Sequence, residues 1–366
     1  MASLPSGPGT VYVGMDTSMR EIVCGVLLPG RDVPAVERVP NDEASVRRLV
    51  GRLGDRSLLS VCYEAGPSGY ELHRLIASMG VACQVIAPSL VPKGASERVK
   101  TDRRDAVRLA LALRAGMLTA VRVPSPAEEA VRDLARARGD LLDDRKRMQQ
   151  RLNALLLRHG RVWGGGSKWT IAHRAWVDRQ RFDQAALQDV LDAYRGGLEA
   201  RECELRQAEA RLLAWARQEP LAPAVTGLSA YRGIAELTAL TLAAEVTDWR
   251  RFPSARAFMG FTGLVPSEYS SGARASRGSI TRAGPQAVRT ALVESAQAYR
   301  HRPRIGADLR RRQAGASPGT LARSWKAQQR LHATYQKMSG RGRPHGVVAT
   351  AVARELAGFT WAEMTS

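Results

Sequence analysis

The sequence predicts an α/β domain with a mixed sheet, followed by an all-α remainder that divides into a helical linker and a mostly helical C-terminal domain. Three observations predict it. Strand-like and helix-like segments alternate over the first 118 residues, leucines then recur every seven residues, and helical segments prevail after about residue 219. A chain of 366 residues is long enough for two or three domains with buried cores. We therefore expect domains at 1–118, 119–218 and 219–366.

The first domain opens with two apolar strands around a short turn, within residues 11–28, and a third strand follows at 33–39. Strands and helices alternate after that point. The expected elements are a helix at 42–53, a strand at 58–63, a helix carrying Leu72, Leu75, Ile76 and Met79, a strand at 81–88 and a helix at 102–115. Three leading strands followed by alternation predict a mixed sheet of about five strands.

Two heptad runs follow, separated by a glycine-rich break at 164–166. Their apolar residues are Leu134, Leu141, Met148 and Leu155 in the first run, and Leu191, Leu198, Leu205 and Leu212 in the second. This spacing predicts a helical hairpin or a coiled coil. The partner of each arm is either the other arm or a second subunit, and an ordinary amphipathic bundle is the alternative.

The charge distribution predicts a polyanionic partner. The chain carries 55 Lys and Arg against 35 Asp and Glu, a net charge of +20. Residues 273–346 hold 16 basic and 2 acidic residues, whereas residues 1–115 hold 15 and 12. A uniform compositional bias would not concentrate the excess in this way, so we favour nucleic acid. No apolar run reaches membrane-spanning length and no secretory segment opens the chain, so we expect a cytoplasmic, nucleoid-associated protein without a membrane partner.

Four acidic residues of the first domain form the main candidate site. Asp16 and Glu64 end predicted strands, and Asp102 and Asp105 are spaced i, i+3 on one helical face. Each alone is most simply a cap or a solvated acid. Together, in this strand order, they predict carboxylates that converge on hard cations, as in a two-metal Mg²⁺ or Mn²⁺ site acting on a phosphodiester.

These acids lie in segments that resemble a known family. The segments VGMDTS, YEAGPSGY and KTDRRDA resemble the D-E-D-D pattern of a RuvC-like, RNase H-type domain, and specifically that of transposases of insertion-sequence family 110, which includes the Piv-type DNA invertases. The segment GIAELTALTLAAEVTDWRRFPSARAFMGFTGLVPSEYSSG resembles that family's C-terminal transposase domain. The resemblance covers roughly residues 11–118 and 225–300, in the family's order.

The resemblance implies a DNA recombinase that forms a covalent phosphoserine link. The position matching the family's nucleophile is Ser271, within Tyr269-Ser270-Ser271-Gly272, and the four acids would bind metal. It also implies target and donor DNA as substrates and a non-coding bridge RNA as guide. From chemistry alone Ser270 is equivalent to Ser271.

No histidine lies near Ser271 in the sequence, which excludes a Ser-His-Asp triad within this segment and leaves only a histidine that approaches in space. Activation of the serine by the acidic metal site fits better. Six arginines are candidates for holding nucleic-acid phosphates: Arg274, Arg277, Arg282, Arg310, Arg311 and Arg312. We expect residues 261–284, which contain Ser271, to form a loop, and a solvated surface turn without catalytic function is the alternative for this segment.

Two other functions fit the same residues. A junction nuclease that uses water would need the four acids but not Ser271, and a non-catalytic nucleic-acid-binding protein would need neither. A cut requires acids and serine from separate domains, so it needs either a multimer or a large domain closure. We expect a dimer or tetramer, with the heptad segments as an assembly device.

Overall fold

The fold is taken from a computed structural model, which describes the backbone of residues 5–7, 9–92, 101–271 and 274–366. Side chains are described in the same ranges except for Ser89 and residues 269–277. The chain forms two compact units, Met1–Val123 and Pro124–Ser366. None of the helices in the described ranges combines the length and hydrophobicity needed to span a bilayer.

The first unit is a mixed α/β structure, as the sequence predicts. Its described elements are β1 (Val11–Thr17), β2 (Glu21–Leu27), β3 (Ala35–Pro40), α1 (Glu43–Arg52), β4 (Leu59–Glu64), α2 (Glu71–Ser78), β5 (Ala82–Ile86) and α3 (Asp102–Arg114). The strands form one sheet of order β3-β2-β1-β4-β5. The strands β1, β2 and β3 pair antiparallel, whereas β4 pairs parallel with β1 and with β5. The prediction of a five-stranded mixed sheet is confirmed.

Both faces of the central strands are buried, which explains why β1 and β4 are almost uninterrupted apolar runs. Val13 and Met15 point to one face, where they pack in a cluster with residues of α1 and α2 such as Leu49 and Ile76. Tyr12 points to the opposite face and packs against α3. The sheet is therefore covered by helices on both sides.

Two glycines let α3 lie unusually close to the sheet. A Cβ atom on Gly14 would lie 2.4 Å from the backbone nitrogen of Ala110 and 2.5 Å from the carbonyl oxygen of Ala106. A Cβ atom on Gly25, the residue that pairs with Gly14, would lie 2.6 Å from the same carbonyl oxygen. Real Cβ atoms do not approach backbone this closely, so α3 can pack at this distance only over glycine.

The second unit is mostly helical. Its described elements are α4 (Pro126–Arg158), α5 (Ile171–Asp178), α6 (Ala185–Ala216), α7 (Ala222–Ser229), α8 (Glu236–Val246), α9 (Ala255–Phe261), β6 (Pro266–Ser271), β7 (Arg274–Ile280), α10 (Gln286–Ala296), α11 (Ala307–Arg312), α12 (Pro318–Gly340) and α13 (His345–Thr365). One large apolar cluster joins α7–α10, α12 and α13 to the start of α4 and the end of α6.

The two heptad runs lie on α4 and α6, which pack along each other. The start of α4 shares a cluster with the end of α6, through Val131 and Leu212, while Leu155 and Leu191 share a second cluster at the opposite ends. The helices therefore run in opposite directions, and the leucines of α6 are buried within the chain. The prediction that these runs also assemble subunits stays a prediction.

Buried acidic residues tie the helices of the second unit together. Arg136 of α4 donates two hydrogen bonds to Glu245 of α8, at 2.7 and 3.0 Å. Tyr231, Thr320 and Arg323 all donate to Glu363 of α13. Burial and the Glu363 carboxylate raise the pKa of Tyr231 above its usual value. Because buried carboxylates are costly without partners, these networks specify one packing of the helices.

Residues 261–284 contain a β-hairpin, so the loop predicted for this segment is wrong. The strands β6 and β7 form a two-stranded antiparallel sheet in which Ser271 pairs with Arg274. The strands are rich in Ser, Arg and Gly and lack alternating apolar residues. They are paired through the backbone, which leaves no hydrophobic periodicity for a sequence analysis to detect.

The close packing of α3 predicts the effect of a single added methyl group. Replacing Gly14 with alanine should lower the free energy of unfolding by about 1–3 kcal/mol, because the α3 backbone must move away from the sheet. Gly51→Ala is the matched control, since a Cβ atom there meets nothing within 4 Å. Urea unfolding measures both. An unfolding free energy for Gly14→Ala that equals that of the wild type would contradict the close packing.

Candidate functional site

Two carboxylates lie at the carboxyl ends of neighbouring parallel strands. Asp16 is the next-to-last residue of β1, and Glu64 is the last residue of β4. Met15 pairs with Tyr63, so Asp16 and Glu64 follow at equivalent positions on strands about 4.8 Å apart. Side chains alternate along a strand, so both acids belong to the face that carries Gly14, the face covered by α3.

The helix α3 brings its first turn to the same edge of the sheet. Leu113, near the end of α3, packs in one cluster with Tyr12 at the start of β1, whereas Asp105 lies close to Glu64 at the ends of the strands. Asp105 is buried, with 4% of its surface exposed, and Asp102 is exposed at the start of the helix. Three of the four predicted acids thus lie at one edge, with Asp102 on the adjoining helical turn.

Arg108 lies between two of these acids. Its Nη2 atom is 2.6 Å from Oδ1 of Asp105 and 3.8 Å from Oε1 of Glu64. The other carboxylate oxygen of Asp105, Oδ2, is buried and has no hydrogen-bond partner among the described residues. A buried carboxylate oxygen without a donor is costly, so this atom is an acceptor available to a ligand.

The donor set fits a divalent cation. Carboxylate oxygens are the ligands that Mg²⁺ and Mn²⁺ prefer, and Oδ2 of Asp105 offers one that is already desolvated. In the described ranges, however, no three His, Cys, Asp or Glu side chains are gathered closely enough to hold an ion. Carboxylates that lie near one another repel, and the Arg108 guanidinium offsets this repulsion between Glu64 and Asp105.

The predicted nucleophile lies on the β-hairpin of the second unit. Ser271 is the last residue of β6, and Arg274 and Arg277 lie on β7. The side chains of these three residues lie outside the described part of the chain. Arg282 follows β7, with an exposed side chain and a φ of 56°. A positive φ is uncommon for arginine and places this residue in a tightly constrained turn.

One arginine holds the base of this hairpin. Nη1 of Arg289, on α10, donates to the carbonyl oxygens of Thr262, Arg282 and Gly284, at 3.5, 3.3 and 2.6 Å. These carbonyls lie on the segments that enter and leave the hairpin. Desolvation, and then the charge of Arg282, hold the pKa of Arg289 below its usual value, although a guanidinium remains protonated at neutral pH.

The three arginines of α11 have different surroundings. Arg310 is exposed, and Arg311 is exposed and pairs with Asp308. The side chain of Arg312 is only 12% exposed. It donates to the carbonyl oxygens that end α7 and follow it, namely those of Ser229, Tyr231 and Ile234. Arg312 therefore contributes to the packing of α11 on this turn, and its predicted phosphate contact is untested.

Arg108 and Arg289 were not among the residues predicted from the sequence. The i, i+3 spacing of Arg108 from Asp105 is a signal for an ion pair, and it was available in the sequence. For Arg289 there was no such signal, since its partners are backbone carbonyls that any sequence provides.

Comparisons with known proteins match both halves of the chain. The family model described as Transposase IS116/IS110/IS902 family matches residues 226–310, and a second transposase model, DEDD_Tnp_IS110, matches residues 13–160. A putative transposase of Sinorhizobium fredii is 42% identical over 96% of this chain and 87% of its own length. The transposase for insertion sequence element IS1533 of Leptospira borgpetersenii is 31% identical over 67% of this chain and 72% of its own length.

Removing the Arg289 contacts should loosen the hairpin. In Arg289→Ala, three carbonyls lose a charged donor, so we expect cleavage by chymotrypsin after Tyr269 to become about tenfold faster, in line with loss of about 1.5 kcal/mol of local stability. Arg256→Ala, an exposed arginine of α9, is the control. Equal cleavage rates in the two variants would show that Arg289 does not hold the hairpin.

Proposed function

This chain belongs to the IS116/IS110/IS902 family of transposases, and we propose that it cuts and rejoins DNA through a phosphoserine intermediate at Ser271 with the help of a divalent-metal site. The observation that carries the metal part is the edge of the β1–β4 pair, where Asp16 and Glu64 end neighbouring strands, Arg108 links Glu64 to Asp105, and a buried oxygen of Asp105 has no donor among the described residues. We propose a RuvC-like, RNase H-type fold for this unit.

The DEDD transposase domain suggests dependence on divalent metal. We propose that Asp16, Glu64, Asp102 and Asp105 hold two ions, Mg²⁺ or Mn²⁺. Bound there, such ions supply polarisation of a phosphodiester and neutralise its developing charge. The chain's own part is to provide oxygen ligands from a rigid sheet edge and a close-packed helix, so that little reorganisation is needed at the moment of reaction.

The serine step exchanges one phosphodiester for another. Oγ of Ser271 attacks the phosphorus, the bond from phosphorus to the leaving DNA oxygen breaks, and the serine proton passes to solvent while the leaving oxygen gains one. A hydroxyl of the second DNA strand then attacks the phosphoserine, and Ser271 is released. The number of phosphodiester bonds is conserved, so no nucleotide or redox partner is consumed. A phosphoserine intermediate is therefore better suited than attack by water to a reaction that rejoins DNA strands.

For its partners we propose target and donor double-stranded DNA, a non-coding guide RNA, and a homodimer or homotetramer that holds two duplexes at the nucleoid. Basic residues concentrate in 273–346, at 16 against 2 acidic residues, which supports the nucleic-acid part. We assign phosphate contacts to Arg274, Arg277, Arg282, Arg310 and Arg311, and secondarily to Arg312.

Excision from native flanking DNA tests the mechanism. Circular junctions are detected by PCR in cells carrying the wild type, Asp16→Asn, Ser271→Ala or Ser270→Ala. We expect the wild type and Ser270→Ala to form junctions and the other two variants to fall at least about a hundredfold, as expected for loss of a nucleophile or a metal ligand.

Each alternative function predicts a different result in this assay. Full activity of Ser271→Ala would favour a nuclease-type reaction with water as the nucleophile. Full activity of both Asp16→Asn and Ser271→Ala would favour a protein that binds nucleic acid without catalysis. Loss of activity in Ser270→Ala alone would move the nucleophile to the neighbouring serine.

The arginines of α11 give a prediction on binding. Arg310→Ala and Arg311→Ala should each weaken binding to double-stranded DNA of any sequence, and each should lower the slope of log affinity against log salt by about one. Fluorescence anisotropy at several salt concentrations measures the slope. Arg38→Ala, an exposed arginine of β3 paired with Glu21, is the control. Unchanged slopes in the α11 variants would remove these residues from the interface.

A further inference from the structure

We propose that Arg108 is an internal counter-cation, which holds Glu64 and Asp105 in the metal-free protein and gives them up when a divalent cation binds. This inference rests on the proposed metal site and goes beyond it, because it makes metal binding a competition within the chain. Arg108 would then set how tightly the acidic edge binds its ions.

The position of Arg108 fits this role. One nitrogen, Nη2, approaches carboxylates from two different elements, 2.6 Å from Asp105 on the same helix and 3.8 Å from Glu64 on β4. The Arg108 side chain is 20% exposed and that of Asp105 is 6% exposed, so the pair is largely removed from water. A partly buried ion pair of this kind is screened much less than one on the surface.

The charges also fit. One guanidinium faces two carboxylates, those of Glu64 and Asp105, so this pair of acids carries more negative charge than Arg108 alone supplies. A guanidinium stays charged at any physiological pH, so this compensation does not depend on protonation. A cation of charge +2 matches the edge better than a cation of charge +1.

The two cations compete for the same oxygens. Oδ1 of Asp105 accepts a short hydrogen bond from Arg108. A metal ion bound to this oxygen would bring a double positive charge within a few ångströms of the guanidinium, which is strongly unfavourable. The Oδ2 atom is the acceptor that Arg108 leaves unused, because it has no hydrogen-bond partner among the described residues. This oxygen would be a ligand for a divalent cation while Oδ1 is still bonded to Arg108.

Mn²⁺ binding by the full-length chain tests the inference. Electron paramagnetic resonance of free Mn²⁺ gives the dissociation constant for the wild type, Arg108→Gln, Asp105→Asn and Arg103→Ala. Arg103 is exposed on the same helix, so its variant removes an equal charge near the acids without removing the bridge. We expect Arg108→Gln to bind Mn²⁺ about tenfold more tightly than the wild type, Arg103→Ala to change the affinity less than twofold, and Asp105→Asn to bind weakly.

Thermal unfolding supplies a second measurement that does not depend on activity. In EDTA, Arg108→Gln should unfold at a lower temperature than the wild type, because two carboxylates lose their counter-charge. Added Mg²⁺ should raise the unfolding temperature of Arg108→Gln more than that of the wild type. If the glutamine variant does not fold in EDTA, Arg108→Lys retains a charge with poorer geometry and should shift both measurements in the same directions, by smaller amounts.

The outcomes separate this inference from the proposed function. If the wild type binds Mn²⁺ through Asp105 but Arg108→Gln binds equally or more weakly, the competition is wrong and the metal site stands. If Arg103→Ala tightens binding as much as Arg108→Gln, the effect is one of overall charge and the inference is also wrong. If the wild type binds no more Mn²⁺ than Asp105→Asn, the metal site and the inference fail together.

Discussion

The contact between α3 and the glycine pair of β1 and β2 determines where the acids of the first unit lie. The helix carries Ala106 and Ala110 directly over Gly14, at a distance that leaves no room for a Cβ atom between helix and sheet. Its first turn is thereby held at the carboxyl ends of β1 and β4. The burial of Asp105, its pairing with Arg108 and the approach to Glu64 all follow from this one placement.

In the second unit, guanidinium groups have the organising role that glycines have in the first. Arg136 connects α4 to α8, Arg312 holds the turn after α7, and Arg323 joins α12 to α13 through Glu363. Each guanidinium donates hydrogen bonds to buried acceptors that would otherwise be unsatisfied. A strongly basic composition thus has two uses in this chain. Part of it stabilises the fold, and the exposed part is the one that we propose for contacts with nucleic acid.

Much of the first unit could be predicted from the sequence, because burial on both faces produces apolar runs and the chain order places Asp16 and Glu64 at strand ends. The long helices α4 and α6 were equally readable from their heptad spacing. The hairpin of β6 and β7 was missed, since backbone pairing of Ser- and Arg-rich strands leaves no periodic signal. Arg312 differs from Arg310 and Arg311 because it lies on the side of α11 that faces Ser229, where its side chain is largely buried. The composition of this arginine run does not encode which residue faces that side.

The three hydrogen bonds of Arg289 at the base of the hairpin influence which substitutions the hairpin can accept during evolution. Its three acceptors are main-chain carbonyls, so the anchor depends on the backbone shape at Thr262, Arg282 and Gly284 and not on a side-chain partner in the hairpin. That shape is constrained at two positions, because Arg282 has a φ of 56° and a Cβ atom on Gly284 would lie 1.6 Å from the carbonyl oxygen of Phe261. The hairpin can therefore accept many substitutions while its anchor persists. Substitutions in the hairpin can therefore change which molecules it contacts while Arg289 keeps its bonds to the main chain.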